Sequence, residues 1–437
     1  MDQHSQVTVR MRRTPFSAAI ICLVLVTGLL TSCSSTNSTS STASGSSTPP
    51  IPASAFQDHT GVTPTSVSIG NVTTLLAGLF TGGLVGTEAY AAYVNSQGGV
   101  NGRKILVSSA NDQFQGALNK QGVQNVIRTN FASVGGLSLE DSFSEPAIAT
   151  NPGFPDVTAS LDPATQKLPN NFSPEPASNG WPTGPLLYFK QKYPTQITHT
   201  ATIIANLPTT ELAWSNEKSA MQHLGYKVLY DPALPPTMTD FTQQVVAMKN
   251  AGVQILFLEQ EPQNYASAIF RDLSQQDFHP VVVLGAPSYN PQLIGNAGGP
   301  HAVNGAYLEQ APSLFLGEDA AQIPTITTFN TWVQKVSPGF TPDFFTLTGW
   351  LCGQLFVDAL RNAGMNPSRG SLLQALRKIT AFNSGNLIPV SNPADKVPIT
   401  CYLLGRVTNG KFQRLDDPPV TGSTKGFRCD GTYYRAG

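Results

Sequence analysis

The first part of the fold shows the hydrophobic pattern of a strand followed by a helix. Residues 67–72 alternate between apolar and small polar side chains, as a strand with one buried face does. From 84 to 97 the apolar residues recur at helical spacing, and Gly98-Gly99 ends that segment because glycine accepts the left-handed conformation favoured at a helix C-terminus. Residues 105–107 return as a second strand. The pattern therefore predicts a β-α-β unit.

Strands and helices keep alternating further along the chain. Residues 146–149 and 155–158 are both candidates for the next strand after 132–136, and the pattern does not decide between them. The alternation restarts near Thr183 and predicts a second parallel sheet with helices on both faces. The predicted helices cover 115–128, 185–192, 210–224, 240–250, a segment that starts at Pro262, 323–335, 344–363 and 371–378; the predicted strands cover 197–205, 227–230, 253–258, 281–284, 306–308 and a hairpin of 401–407 with 411–415.

The N-terminus has the pattern of an export signal. Three arginines precede an apolar run at residues 18–30, which is too short for a comfortable membrane span. The run closes with Leu30-Thr31-Ser32-Cys33, which resembles a bacterial lipobox. We expect a lipoprotein signal peptide at 1–32, acylation of Cys33 and a Ser/Thr/Pro-rich tether at 33–60, which would anchor the protein to the outer face of the cell membrane. The alternative is an ordinary cleaved signal with a chance cysteine.

Composition narrows the class of protein. The 437 residues exceed one hydrophobic core and predict two lobes. Only 12% of residues are charged and the net charge is −1, so no basic face for nucleic acid is visible. We therefore expect no nucleic-acid partner.

The cysteines allow one bridge in the exported chain. Cys22 would leave with the leader and Cys33 would carry lipid, so Cys352, Cys401 and Cys429 remain. Cys401 and Cys429 are the preferred disulfide because both lie in the irregular C-terminal region. Cys352 shares a helical stripe with apolar residues, and we expect it to be a small buried thiol.

Motifs for catalysis are missing from the sequence. The six histidines are scattered, and no zinc-protease pair, nucleophile elbow, P-loop or dinucleotide fingerprint occurs. Ser215 and Lys218 have the S-x-x-K spacing of penicillin-binding enzymes, but a solvated helix face explains them more simply. We expect no enzyme, no cofactor and no metal, and we keep an extracellular hydrolase that uses Ser215 and Lys218 as a remote alternative.

The first strand, the glycine-rich segment 76–83, the helix and the connection Gly98-Gly99-Val100-Asn101-Gly102-Arg103-Lys104 resemble the opening of the type I periplasmic solute-binding proteins, the branched-chain amino-acid receptors of ABC importers. The order of elements agrees from about 62 to about 415. The resemblance implies an α/β fold with two doubly wound parallel-sheet lobes, joined by three crossings, and a ligand cleft between them. The implied division is 61–180 with 304–378 for lobe 1, and 181–303 with 379–437 for lobe 2 and a C-terminal extension.

Candidate ligand-binding residues follow from the rule that open α/β sheets bind ligands beyond the carboxyl ends of their strands. Each is equally compatible with ordinary loop surface. They are Phe80, Thr81, Leu137, Ser138, Leu139, Thr158 and Ala159 from the first lobe, and Thr210, Glu211, Gln260, Glu261 and Tyr289 from the second.

The sequence departs from the amino-acid receptors at two points. Their carboxylate-binding hydroxyl cluster corresponds here to Ser138 followed by Leu139, Glu140 and Asp141, whose acids would repel an anion if they face the cleft. Their acidic ammonium anchor corresponds to residues 285–288, which contain no acid. Glu211, Glu259 or Glu261 could take over that role, so an amino acid and a neutral or differently charged solute both remain open.

The function implied by the resemblance is that of an extracytoplasmic, lipid-anchored receptor of an ABC importer. It would bind a small polar solute, an amino acid or a related compound, by hinge closure and deliver it to a membrane permease. The alternative is a receptor lipoprotein that senses the ligand without transport.

Overall fold

The computed structural model describes residues 48–75, 78, 80–177, 179–261 and 263–435. The predicted signal peptide, the lipid site Cys33 and the predicted tether up to residue 47 lie outside the described residues. From residue 48 onward the chain forms one compact unit. No helix among the described residues is long and apolar enough to span a membrane.

The first sheet is parallel and contains four strands within the described part of the chain, in the order β2-β1-β3-β4. Helices follow the strands in alternation, as the pattern of the sequence predicts. The elements are β1 (Ser66–Thr73), α1 (Thr81–Ser96), β2 (Lys104–Asn111), α2 (Gly116–Thr129), β3 (Ala132–Val134), α3 (Glu145–Ala149), β4 (Asp156–Val157) and α4 (Pro163–Lys167).

Of the two candidate segments for the strand after 132–136, the second, 155–158, contains the strand. β4 pairs with β3 through Ser133 and Val134. The first candidate is helix α3, where Pro146 lies in the first turn. Proline fits that position because its missing N–H would have no partner there, whereas in a strand it removes a ladder hydrogen bond.

The second sheet has seven strands within the described residues, in the order β14-β13-β12-β11-β10-β6-β8. Its central strands are parallel, and the predicted hairpin of β13 and β14 adds two antiparallel strands at one edge. Its elements and those between are β5 (Trp181–Pro182), α5 (Gly184–Lys192), β6 (Thr200–Thr202), β7 (Ile204–Ala205), α6 (Pro208–His223), β8 (Val228–Tyr230), β9 (Ala233–Leu234), α7 (Thr242–Asn250), β10 (Ile255–Leu258), α8 (Gln263–Gln275), β11 (Val281–Leu284), α9 (Gln292–Asn296), α10 (Pro300–Val303), β12 (Tyr307–Gln310), α11 (Pro324–Val336), α12 (Phe344–Asn362), α13 (Arg369–Leu376), β13 (Leu403–Thr408), β14 (Lys411–Arg414) and β15 (Tyr433–Tyr434).

Helix α12 returns to the first sheet and packs closely on α1. A Cβ added to Gly86 would lie 1.9 Å from the carbonyl oxygen of Thr346, so the two backbones touch there. Gly82 lies beside Thr346, whereas Tyr90 lies beside Gly353, so the two helices run in the same direction. Their N-termini therefore end at the same side of the molecule.

The structure changes one boundary of the proposed division into two lobes. Strand β12 pairs with β11 in the seven-stranded sheet, so we place the second crossing after Gln310 and not at residue 304. The end of the predicted tether packs on the body, since residues Ala53–Gln57 form a 3-10 helix and Asp58 pairs with Arg369 at 2.8 Å.

The cysteines of the body divide into a bonded pair and a free thiol. The Sγ atoms of Cys401 and Cys429, the pair that the sequence favours, lie 2.04 Å apart. Cys352 is a free, buried thiol in α12.

Candidate functional site

The polar groups after the first sheet mostly bond to one another. Ser138 donates a short hydrogen bond to Asp112, and it receives one from Thr74 at 3.3 Å. The hydroxyl of Thr158 donates to Asp156 at 3.1 Å. These hydroxyl protons are therefore already used and do not form the open carboxylate-binding cluster of an amino-acid receptor.

Asp141, which was expected to repel an anion if it faced a cleft, is instead bonded within the first sheet's own loops. It accepts hydrogen bonds from the Ser160 hydroxyl at 2.6 Å and from the backbone N–H groups of Leu161 and Asp162. Burial raises the pKa of Asp141 to about 6, although these hydrogen bonds favour its ionised form. It lines a small cavity of about 30 Å³ together with Asp156.

Two apolar candidates of the first lobe, Phe80 and Leu137, are packing residues. The ring of Phe80 is buried and lies 4.7 Å from that of Phe345 at the N-terminus of α12. Leu137 is buried beside Gly83. Leu139 and Ala159, the other two apolar candidates, are half-buried, and so is Thr81.

In the second sheet, Glu261 is the centre of a polar group at the ends of three strands. Its Oε1 accepts a hydrogen bond from the Ala205 N–H at 3.1 Å, and its backbone oxygen accepts one from the Ser288 hydroxyl at 2.9 Å. Thr210 also bonds to Ala205, through the carbonyl oxygen at 2.5 Å. The other oxygen, Oε2, is buried without a partner, and burial raises the pKa of Glu261 to about 8.

Three further glutamates, which we call the glutamate trio, lie near the carboxyl ends of strands of the second sheet: Glu217 of α6, Glu259 after β10 and Glu309 of β12. Burial raises the pKa of all three, to about 7 for Glu309, and the negative charge of the neighbours raises the pKa of Glu217 and Glu259 further. Gln260 approaches Glu217, with Nε2 at 3.5 Å from Oε2.

The carboxyl groups of Glu259 and Glu309 face each other. Both oxygens of Glu259 are buried and receive no hydrogen bond from an N–H or hydroxyl group. The two carboxyls can bond to each other only when a proton lies between them, and burial raises the pKa of both. The fold therefore favours a proton on this pair.

Two candidates of the second lobe take other roles. Tyr289 is fully buried: its hydroxyl donates to Glu318 and accepts from the Leu316 N–H at 3.2 Å, which fixes the loop after β12. Glu211 is exposed on α6. Of the candidates, Ser138 and Thr158 thus lie in hydrogen-bonded groups after the first sheet, Thr210 and Glu261 form a polar group after the second, and Tyr289 belongs to the core.

A groove of about 850 Å³ lies between the loop before α12 and the β13–β14 hairpin. Apolar residues form much of its wall, among them Leu316, Phe340 and Phe412. Asp319 and Arg414 form a buried ion pair at 2.5 Å on its lining. The volume matches that of small-molecule sites.

The residues of the hydrolase alternative do not form a dyad. The Lys218 ammonium pairs with Asp231 at 2.6 Å, and Ser215 is exposed. Among the described residues, no group of three or more His, Cys, Asp or Glu could hold a metal ion.

Sequence reasoning missed Glu217 and Glu309. Glu217 lies on a helix face that the polar pattern assigned to solvent, yet it is buried. Glu309 directly follows the predicted strand 306–308, and an acid at such a position was a usable signal. The sequence suggested Glu259 only as a substitute for the acidic residue that binds the ligand ammonium in amino-acid receptors.

The comparisons with known proteins agree with this geometry. The family model described as periplasmic binding protein matches residues 67–411, and the chain belongs to this family, the substrate-binding proteins of the kind that serve ABC transporters. None of the curated proteins matches the sequence.

Solved structures share the fold at low sequence identity. A fatty acid ABC transporter substrate-binding protein from Thermomonospora curvata is 18% identical, with TM-score 0.67, over 86% of this chain and 94% of that chain. A branched-chain amino acid ABC transporter from Thermus thermophilus with bound valine is 16% identical, with TM-score 0.69, over 82% and 97%. The leucine-binding protein LivK from Thermotoga maritima is 16% identical, with TM-score 0.65, over 80% and 97%. The type I fold predicted from the sequence is confirmed.

Proposed function

We propose that this chain is the solute receptor of an ABC importer, lipid-anchored at Cys33, and that it binds a small polar solute between its two sheets by hinge closure. The solute is an amino acid or a related compound, delivered to a membrane permease. The family supports this class of protein, and so do the relatives described as valine-bound and leucine-binding.

The observation that carries the proposal is Glu261. Its Oε2 is fully buried without a partner at the carboxyl end of β10, where Ala205 of β7 and Ser288 from the turn after β11 also lie. A buried oxygen without a hydrogen bond is costly, and a solute with N–H or O–H donors would satisfy it. Glu261 therefore replaces the acidic anchor that residues 285–288 lack.

A panel of solutes tests this function on the full chain purified in detergent. We expect at least one amino acid, amide, amine, short-chain carboxylate or polyol to raise the unfolding temperature, since a ligand at a hundred times its Kd adds about 2.7 kcal/mol. Glu261→Gln should weaken that binder, and Glu145→Gln on α3 is the matched control. A panel without any shift would count against the function.

The anchor is tested separately in cells. Labelling with an alkyne fatty acid should tag the wild type and not Cys33→Ala, because one thiol carries the acyl chains. Equal labelling of the variant would contradict acylation at Cys33 and leave solute binding untouched.

The groove favours a second candidate ligand, a fatty acid, which is the ligand class for which the Thermomonospora relative is named. Its apolar wall of Leu316, Phe340 and Phe412 suits an acyl chain, and Lys411 on its lining suits a carboxylate. Decanoate in the same panel, with Lys411→Gln as the variant, separates this candidate from the polar solute.

A further inference from the structure

The glutamate trio brings three carboxyl groups together beyond the strands of the second sheet. The register pairs Leu258 with Leu284 and Leu284 with Leu308, so the next residues, Glu259, Gly285 and Glu309, form a row across three strands. A Cβ on Gly285 would lie 2.2 Å from the carbonyl oxygen of Glu259. The row therefore has no side chain in the middle, and the two glutamates meet across the gap.

Unpartnered atoms point to something that the trio binds. Glu217 has no exposed surface, and its Oε1 has no hydrogen-bond partner. Glu259 is 5% exposed, and neither of its oxygens receives a hydrogen bond from an N–H or hydroxyl group. Glu217 comes from a helix and the others from the sheet, so the unsatisfied atoms lie where two layers meet. Buried polar atoms are normally paired, and three carboxyls without a cation are costly.

The trio is reachable from the strand ends. Glu309 and Gln260 are half-buried, whereas Glu217 and Glu259 lie behind them. The titratable neighbour on the helix side is Tyr226, whose hydroxyl is already used in a hydrogen bond to the carbonyl oxygen of Leu186 at 2.6 Å. It has no proton left to donate to the carboxyls.

We propose that the glutamate trio is a subsite for the cationic end of the solute, a primary ammonium or a guanidinium with several N–H donors. This rests on the proposed function and names its ligand class: an organic cation in preference to an anion. Such a group supplies the donors that the buried oxygens lack and the positive charge that offsets the carboxylates. The Glu261 site then holds a second donor of the same solute.

Binding of a cation favours ionised carboxylates, whereas burial favours a proton on Glu259 and Glu309. A bound cation should therefore release protons to the buffer, and affinity should increase as the pH rises through about 7, to which burial raises the pKa of Glu309. A group that only supports the fold would not release a proton on binding.

Calorimetry of the full chain in detergent tests the subsite with four probes of matched shape or charge. Leucinamide and isocaproamide differ by one ammonium group, isocaproate is the matching anion, and agmatine carries a guanidinium. We expect leucinamide or agmatine to bind at least about tenfold more tightly than isocaproamide or isocaproate. Titration in two buffers of different ionisation enthalpy should show proton release on binding.

Glu309→Gln is the informative variant because Glu309 is half-buried and glutamine keeps its size. We expect it to weaken the cation about tenfold or more and to reduce proton release, because Glu259 loses the neighbouring carboxyl that favours its protonated form, whereas Glu145→Gln changes neither. Equal binding by cation and neutral analogue, or unchanged proton release in Glu309→Gln, would overturn the subsite. If only isocaproamide or isocaproate binds, the subsite fails and solute binding stands; if nothing in this set or in the wider panel binds, both fail.

Discussion

At the scale of residues, the unusual feature is the number of carboxyl groups buried without a cation in the second sheet. Glu217, Glu259, Glu261 and Glu309 all have raised pKa values, and burial is the largest cause in each case. Apolar residues at such positions would stabilise a core more than buried acids do. The proposed binding of a cationic solute supplies the reason for these acids that stability does not.

These acids make stability depend on pH in a defined direction. The folded state raises the pKa of Glu309 from 4.5 to about 7, so it favours the protonated group. The stability this provides is complete below pH 4.5 and is lost as the pH rises through about 7. Without ligand, the free energy of unfolding of Glu309→Gln should therefore equal that of the wild type near pH 4.5. Near pH 8 it should be higher than that of the wild type by about 1–3 kcal/mol.

Urea unfolding at both pH values measures this difference, and Glu145→Gln, whose side chain lies outside the trio, serves as the control. Parallel pH profiles for wild type and Glu309→Gln would show that Glu309 is not protonated preferentially in the fold.

At the scale of elements, the contact of α1 with α12 fixes the end of the first sheet where solute would enter. Gly86 allows the approach because its missing side chain would otherwise meet the backbone of Thr346 at 1.9 Å and of Trp350 at 2.8 Å. Both helix N-termini are thereby held beside Phe80 and Phe345.

Gly86→Ala should separate the two helices and destabilise the protein by about 1–3 kcal/mol. The matched control is Gly295→Ala in α9, where an added Cβ meets nothing within 4 Å, and we expect a neutral or slightly stabilising change. Thermal unfolding compares the two. An equal effect of both substitutions would mean that the α1–α12 approach is not tight.

The elements were largely predictable because their signals are local. Alternation, helical spacing and glycine at helix ends predict β1, α1 and β10 from a few neighbouring residues. The burial of Glu217 was not predictable, since it depends on α6 packing over a row formed by β10, β11 and β12. Tyr289 shows the same limit: it follows a strand end, as a ligand contact would, but pairs with Glu318 from a distant loop.

At the scale of the whole molecule, the two sheets provide two surfaces with different chemistry. The hydroxyls after the first sheet already bond to Asp112, Asp141 and Asp156, whereas the second sheet carries unsatisfied carboxyls. A solute should therefore be held mainly by the second sheet and covered by the first. Closure then follows if contacts from both sheets favour the closed form.

The central claim is that solute binding closes the two lobes, and a distance between them tests it most directly. Spin labels on a keto-bearing unnatural amino acid at Lys120 of α2 and Ser215 of α6, both exposed, report that distance in the full chain by pulsed electron resonance. Addition of the tightest binder from the solute panel should shorten the mean distance by several ångströms and narrow its distribution. A saturating binder that leaves the distance unchanged would contradict the account.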